Sequence, residues 1–364
     1  MKFIHTADLH LGMEPDKDHP WSKMRSRELW DAFSGIIDRC GIMKTDLLLI
    51  AGDLFHKQPL VRELKEAAGL MAAVPDTRIV IIAGNHDYIS GTSGYRNFKW
   101  PDNVSFLMSD RIGSVYFEDI NTEVYGFSYH TRDIFEPLLD GLKPADPHRI
   151  NILLGHGGEA SKLPVDWKQL ERAGFDYVAM GHLHKNIDIS DRIRYAGSPE
   201  PLDLNETGRH GYIEGEISGS TFSEDGRIIP GTITTTRVES SKREYIKADI
   251  KIGTEDTYGS LRNRIKGLID ERGDSNIYIL RLFGEYDPQI SFDFEGLNDL
   301  GLIVRIIDET KPKLDLEKLY KENDGNVIGM FIDKMKSGPD NEINEKALYY
   351  GIMALTGNCP QNYY

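Results

Sequence analysis

Leu47-Leu48-Leu49-Ile50-Ala51-Gly52-Asp53-Leu54-Phe55-His56 carries an unbroken apolar run into a Gly-Asp pair. A run of this length without alternation reads as a strand buried on both faces, the kind that lies inside an α/β sheet covered by helices. Gly52 lets the chain turn tightly where the strand ends, and Asp53 is delivered to the sheet rim with its carboxylate free. By itself an Asp after Gly is more commonly a turn residue or a helix cap. What ends the other strands decides between these roles.

The same rhythm repeats on either side. Met1–Ala7 reads as a strand followed by Asp8-Leu9-His10, and Ile79–Ala83 as one followed by Gly84-Asn85-His86-Asp87. Ile150–Leu154 runs into Gly155-His156-Gly157, and Tyr177–Met180 into Gly181-His182-Leu183-His184. Between them, Leu29, Phe33, Ile36, Ile37 and Cys40 are spaced as one face of a helix ending at Gly41. Val61, Leu64, Ala68 and Met71 mark a second, closed by Pro75. A short helix is expected around Trp167 and Leu170, and short segments with turn signals fill Gly91 to Phe127. Gly91-Thr92-Ser93-Gly94 lacks the lysine of a phosphate-binding loop and reads as a mobile loop. Past Lys242 the pattern is strand (Ile246–Ile252), helix (Leu261, Ile265, Leu268), strand (Ile277–Phe283) and strand (Leu302–Ile307), a small α/β unit without these turns. After Lys311-Pro312, Ile328, Phe331, Ile332 and Met335 form one helical face; beyond Gly338-Pro339, Ile343, Ala347, Tyr350 and Ala354 form another.

With 364 residues, 40% hydrophobic and 28% charged, the chain can bury a large core. No apolar stretch approaches the roughly 18 residues a membrane span needs. The N-terminus enters a strand directly, without a signal-peptide pattern. Cys40 and Cys359 lie far apart, Cys40 on an apolar helix face, which fits a buried thiol and a reducing, cytoplasmic setting. A net charge of −15 argues against a protein that coats nucleic acid by bulk electrostatics. It leaves room for an enzyme of DNA, because bound divalent metals and a local basic patch attract phosphate.

Five strand ends thus carry Asp, His and one Asn. In an extended chain, alternation puts Asp8 and His10 on one side, and likewise His182 and His184. Ligands in open α/β sheets gather at the carboxyl ends of strands, so the five turns are expected to converge. Carboxylate, imidazole and amide without thiolate favour divalent Mn, Fe or Zn over a structural Cys-rich zinc site. Seven donors suit two ions at a separation of about 3.5–4 Å, and Asp53, alone on its strand end, is the best shared anionic ligand.

These turns resemble the five blocks of the calcineurin-like metallophosphoesterases, D-x-H, GD, GNH[DE], H and GHxH. His5-Thr6-Ala7-Asp8-Leu9-His10-Leu11-Gly12, Ala51-Gly52-Asp53-Leu54-Phe55-His56 and Tyr195-Ala196-Gly197-Ser198-Pro199-Glu200-Pro201 are similar to the DNA repair exonuclease branch, meaning SbcD, Mre-type and YhaO-like proteins. The blocks cover about the first 210 residues; beyond residue 240 only the layout matches. The resemblance implies an α/β fold, a two-sheet β-sandwich flanked by helices (α-β-β-α) over residues 1–240. A small α/β capping domain over 241–311 and a helical tail over 312–364 follow. It implies one ion held by Asp8, His10, Asp53 and His184, a second by Asp53, Asn85, His156 and His182, with His86 protonating the leaving group and His56 positioning the phosphate. It further implies Mn²⁺ as the metal (Fe, Zn or Mg as alternatives), 3′→5′ exonuclease action on DNA, a homodimer, and a tail that binds an SMC-like coiled-coil ATPase; the helices around Phe331, Met335 and Tyr350 read either as that docking surface or as folded back on the chain's own core.

The chemistry expected is attack by a metal-activated hydroxide on a phosphodiester, with an imidazole supplying the proton that the departing sugar oxygen needs. A DNA strand needs cations beyond the metals. Lys57, Arg96, Lys99 and Lys185 are the substrate-binding candidates, with Arg25, Arg27, Arg62 and Arg132 in or near the same loops. Tyr88, Tyr95, Phe98 and Trp100 interleave with Arg96 and Lys99 and read either as a base-stacking surface or as a folded lid with its own small core. Two other functions fit the same residues: hydrolysis of a small nucleotide or other diester, and a mainly structural role in an ATPase complex. The chain has no P-loop of its own.

Overall fold

In the computed structural model, the apolar run before Gly52-Asp53 is a strand with every residue buried, Leu47–Ala51. Residues 1–219, 221–222, 228–229, 231–339 and 341–356 are described, so Cys359 lies outside the described residues. The chain runs β1 (Lys2–Thr6), α1 (Ser22–Met43), β2 (Leu47–Ala51), α2 (Val61–Ala72), β3 (Arg78–Ile82), β4 (Val104–Phe106), β5 (Gly113–Phe117), β6 (Thr122–Gly126), β7 (Ile150–His156), α3 (Trp167–Glu171) and β8 (Tyr177–Gly181). It continues through β9 (Ile187–Asp188), β10 (Ile193–Tyr195), β11 (Gly211–Ile217), β12 (Thr221–Phe222), β13 (Ile228–Ile229), β14 (Ile233–Glu239), β15 (Tyr245–Ile252), α4 (Tyr258–Arg272), β16 (Ile277–Tyr286) and β17 (Leu302–Pro312). The helices α5 (Leu316–Glu322), α6 (Val327–Lys336) and α7 (Glu342–Thr356) close it.

Two six-stranded mixed sheets form the first unit, which spans Met1–Ile246 with Ser275–Ile277. One has the order β14-β11-β1-β2-β3-β4 and the other β5-β6-β7-β8-β10-β9. Strand alternation sorts the apolar residues between layers. Ile4, Leu48, Ile50, Ile79 and Ile81 pack with Leu29, Phe33, Ile37 and Cys40 of α1 and Leu64 and Met71 of α2. Their neighbours Phe3, Leu47, Leu49, Val80 and Ile82 face the second sheet through Val124, Ile152, Leu154, Tyr177 and Ala179. The outer side of that sheet, with Leu153, Val178 and Met180, is covered by Leu170 of α3 and by Ile134, Leu139 and Leu163 from loops. This is the α-β-β-α sandwich expected. Burial of both sheet faces explains why β2 and β3 lack alternation in sequence.

One boundary differs from expectation for a physical reason, and of the two readings of the loop after β3 the packed one is found. Helix α1 continues through Gly41 to Met43, and the left-handed terminating residue is Lys44 (φ 51°), whose N–H bonds to the Cys40 and Gly41 carbonyls. Gly41 instead sits where the Val74 side chain packs close. The loop after β3 is a folded lid: Tyr95 is fully buried, and Phe98 and Trp100 pack edge-on to each other against the α1/α2 core. Ser93, in the Gly-rich stretch, accepts a hydrogen bond from Tyr95 N–H and starts a turn of 3₁₀ helix at Gly94–Asn97.

The second unit, Lys247–Asp274 and the chain from Tyr278, has a three-stranded sheet ordered β15-β16-β17. Leu261, Ile265 and Ile269 form the buried face of α4. In the tail, Phe331 of α6 lies over Gly351 of α7, so it belongs to the contact between these helices and is not a free docking residue. Val327, Met330, Ile343, Tyr320, Tyr350 and Leu355 are exposed apolar or aromatic side chains there.

Candidate metal centre

Strands β1, β2 and β3 run parallel in one sheet, as do β6, β7 and β8 in the other. Their carboxyl ends therefore point the same way within each sheet, and the five turns meet. Main-chain pairing continues past the strands: Asp8 N–H donates to Gly52 O, His10 N–H to Asp53 O and Leu11 N–H to Leu54 O. The turns are not extended. Asp8 (φ 51°), His10 (45°), Asp53 (49°) and His182 (96°) all have positive φ, so the alternation argument for the Asp8/His10 and His182/His184 pairs is corrected. Asp and His tolerate this region better than most side chains, and it persists where surrounding contacts over-determine it.

Asp53 is at the centre. Its Oδ1 accepts the His86 N–H at 2.9 Å, and its Oδ2 lies 3.3 Å from His156 Nε2 and 3.7 Å from His10 Nε2. Donor atoms of Asp8, His10 and His184 lie within 4.8 Å of one another, as do those of Asp8, Asp53 and His156, and those of His10, His56 and His86. Asn85 Oδ1 is 3.0 Å from His156 Nε2 and 3.1 Å from His182 Nδ1. The structure thus brings all seven sequence-named donors together, with His56 and His86 beside them; these two rings stack at 5.2 Å.

The donor set fits divalent cations. His10 Nε2 and His184 Nε2 are 3.2 Å apart, close to the roughly 3.3 Å between two nitrogens on one tetrahedral ion with bonds of about 2.0–2.1 Å. The far nitrogens are anchored: His156 Nδ1–H donates to Ala51 O at 2.9 Å, and His184 Nδ1–H donates to Glu206 Oε1 at 2.6 Å. This leaves each Nε2 lone pair facing inward. A Cβ on Gly84 would run into the Asp53 carboxylate and His156 Nε2, so only glycine lets this turn approach the centre.

Charge follows the same geometry. Burial lifts the Asp8 carboxyl to about 6, against the pull of His156 and His184. Burial would also raise Asp53, but the charge and hydrogen bond of His156 outweigh it and hold Asp53 well below the usual carboxylate range. Burial opposes charge on His156, yet Asp53 raises it to about 9. His184, equally opposed by burial, is raised to about 9 by Glu206 and Asp8. Burial and the His156 charge lower His182 to about 4. A cation entering this cluster takes over the work of the protons on His156 and His184, so binding is coupled to proton release.

Glu206 and Glu159 carry no signal in the sequence. Glu159 Oε2 is 3.2 Å from His182 Nε2. Asp87, the last residue of the GNHD turn, is fully buried and accepts from Gly84 N–H, Phe55 N–H and Tyr95 O–H, tying two turns and the lid together. Tyr129 O–H holds the His156 carbonyl at 2.6 Å. Nothing in local spacing marks Glu206, which reaches His184 from 22 positions further along the chain, past β9 and β10. Glu206→Gln should weaken metal binding about 10–100-fold, read by calorimetric titration of the purified protein with Mn²⁺; unchanged affinity would remove Glu206 as an anchor of His184.

The candidate substrate cations fare unequally. Lys57, Lys99, Lys185, Arg27, Arg62 and Arg132 are exposed. Arg96 is exposed but spends its guanidinium on the Ser90 and Ile89 carbonyls of its own loop. Arg25 is corrected: it is fully buried, bonded to Glu28 Oε2 at 2.6 Å and to the Pro201 carbonyl, with Glu200 Oε2 at 3.4 Å. It cannot face a substrate. Arg25→Ala would leave the buried Glu200 without a counter-charge, while Glu28 keeps Arg243 at 2.8 Å, and should cost about 3 kcal/mol, measured by urea unfolding.

The calcineurin-like phosphoesterase family profile matches residues 1–186. The uncharacterized metallophosphoesterase YhaO of Bacillus subtilis (strain 168) is 25% identical over 287 residues, covering 72% of this chain and 69% of that protein. The DNA double-strand break repair protein Mre11 of Methanocaldococcus jannaschii is 30% identical over 221 residues, 57% of this chain and 58% of that protein. The Mre11 of Saccharolobus solfataricus is 26% identical, covering 95% of this chain and 97% of that protein. Among the described residues, no helix is long and apolar enough to cross a membrane. A profile that takes in both sheets' ligand-bearing turns, over a cluster whose donors suit divalent metal, leaves one conclusion: the chain belongs to the calcineurin-like phosphoesterases.

Proposed function

We propose that this phosphoesterase is a binuclear-metal phosphodiesterase that removes nucleotides from DNA ends. The observation that carries the reading is Asp53, whose two carboxylate oxygens face different partners, with His86 held directly beside it. Asp8, His10, Asp53 and His184 would hold one ion, and Asp53, Asn85, His156 and His182 the other, Mn²⁺ in both by preference. The ions would supply Lewis acidity, lowering the pKa of water and neutralising phosphate oxygens.

The rest is work for the protein. His86 Nδ1–H donates to the His56 carbonyl at 3.2 Å, which orients the ring and leaves Nε2 to hand a proton to the departing sugar oxygen. His56 Nδ1 lies 3.3 Å from His10 Nδ1, so its ring is fixed at the edge of the centre where a phosphate oxygen can be met. Lys57, Lys99 and Lys185 supply exposed positive charge around that opening, and Arg96 does so from its anchored loop. DNA as substrate is supported by similarity to proteins named for double-strand break repair. The resemblance of the sequence blocks suggests in addition a homodimer and an SMC-like ATPase partner, with Val327, Met330, Ile343, Tyr350 and Leu355 among the tail's exposed contacts.

One observation favours a second reading. Tyr95 is fully buried and Phe98 and Trp100 are half-buried against the core, which leaves little aromatic surface for stacking and suits a small phosphodiester better than a splayed strand. End-labelled linear duplex and single-stranded DNA, incubated with Mn²⁺ or Mg²⁺, separates the two. Shortening from the ends by the wild type and not by His86→Ala supports the nuclease. Intact DNA together with turnover of a small chromogenic diester assigns the site to small molecules.

A further inference from the structure

Beside His184 the first unit opens a pocket of about 260 Å³, whose walls include His184, Lys185, Asn186, Arg209, Arg237 and Glu239. Three cations line it against one carboxylate. Lys185 has no hydrogen-bond or ion-pair partner among the described residues. Arg237 pairs with Asp188 at 2.9 Å, but the same carboxylate already binds Arg194 at 2.7 Å, so one acid serves two guanidinium groups. Arg209 has only a loose approach to Glu244, 3.6 Å, and a 3.3 Å bond to the Ser241 carbonyl. Both arginines are about half exposed, 45% and 47% for their side chains. Ion pairs of this kind are weak in water and exchange readily for a phosphate, which accepts two parallel guanidinium hydrogen bonds.

His184 lines the pocket and also gives its Nε2 to the centre, so an occupant lies near the reacting phosphate. No Phe, Tyr or Trp lines it. Three cations and no large aromatic ring favour a charged backbone over a stacked base, a contact that positions a strand without reading its sequence. We propose that this pocket holds a second backbone phosphate of the nucleic-acid strand being cleaved, with Lys185, Arg209 and Arg237 as counter-charges. The proposal rests on the DNA reading of the centre and adds to it where the neighbouring phosphate sits.

The test is the salt dependence of binding to a fluorescein-labelled duplex, followed by anisotropy over a potassium chloride series in full-length His86→Ala protein, so that the strand stays intact. Adding Arg209→Gln and Arg237→Gln should weaken binding roughly 10-fold and lower the slope of log affinity against log salt by about 0.9 for each phosphate that is no longer neutralised. Arg281→Gln, the loss of one positive charge in the second unit, should change affinity less than about twofold. Unchanged affinity and slope in the double substitution would overturn the pocket, as would an equal loss from Arg281→Gln, which would mean bulk electrostatics. Should the double substitution lower the melting temperature, Lys185→Gln, which has no partner to lose, must still reduce the slope or the proposal falls. A parent protein with no salt-dependent binding to any duplex is a different result: it overturns the DNA reading itself.

Discussion

Turnover of a phosphodiester by His86→Ala falls about 10²- to 10⁴-fold while both metal ions stay bound. The two halves of this expectation come from different atoms. Asp53 Oδ1 accepts from the main-chain N–H of His86, which alanine retains, so the carboxylate keeps its orientation. The imidazole reaches the centre separately, edge-on to His10 at 4.7 Å and bonded to the His56 carbonyl. Removing the ring therefore leaves the donor set intact and removes only the proton source. Diesters with good leaving groups, whose departing oxygen needs little protonation, should lose much less rate than diesters with alkoxide-like leaving groups. Equal losses for both kinds, with metal content unchanged by elemental analysis, would take His86 out of proton transfer and leave it a structural ring.

The centre is legible in the chain to an unequal degree. Asp8, Asp53, His156 and the GNHD and GHLH turns announce themselves because buried parallel strands are continuous apolar runs and the donors follow at once. The sorting of those runs into two facing sheets is legible only through family resemblance: Leu48 and Leu49 look alike in sequence although one meets α1 and α2 and the other the second sheet. The conformation of the turns is not legible, since strand alternation implies extended geometry where Asp8 and His10 are left-handed. Arg25 misleads for a related reason. A charge near a ligand loop looks like a substrate contact until its partners Glu28 and Glu200 are found in the folded chain, the second of them 175 positions away. Glu206 is invisible, because an anchoring carboxylate needs proximity in space and has no required spacing.

Asp53→Asn should lose both ions together, and with them the stabilisation that Mn²⁺ gives the wild type. Asparagine has nearly the shape of aspartate, and its amide oxygen can still accept the His86 N–H. What disappears is the negative charge beside His10 and His156. Without it, Asp8 is the only carboxylate left among the seven donors, one anion against four positive charges. A ligand that binds only the folded state raises stability by about 2.7 kcal/mol at a hundred times its dissociation constant. The wild type should therefore melt higher when Mn²⁺ is added, and His86→Ala should show the same rise. Asp53→Asn should show little or none, with metal content near zero after purification. If it kept one ion and half the rise, Asp53 would be a ligand of a single site and not the bridge. Keeping two ions and the full rise would remove it from the metal centre. The comparison with His86→Ala matters because both variants are expected to be nearly inactive, and only metal content and melting separate the loss of a proton donor from the loss of the site it serves.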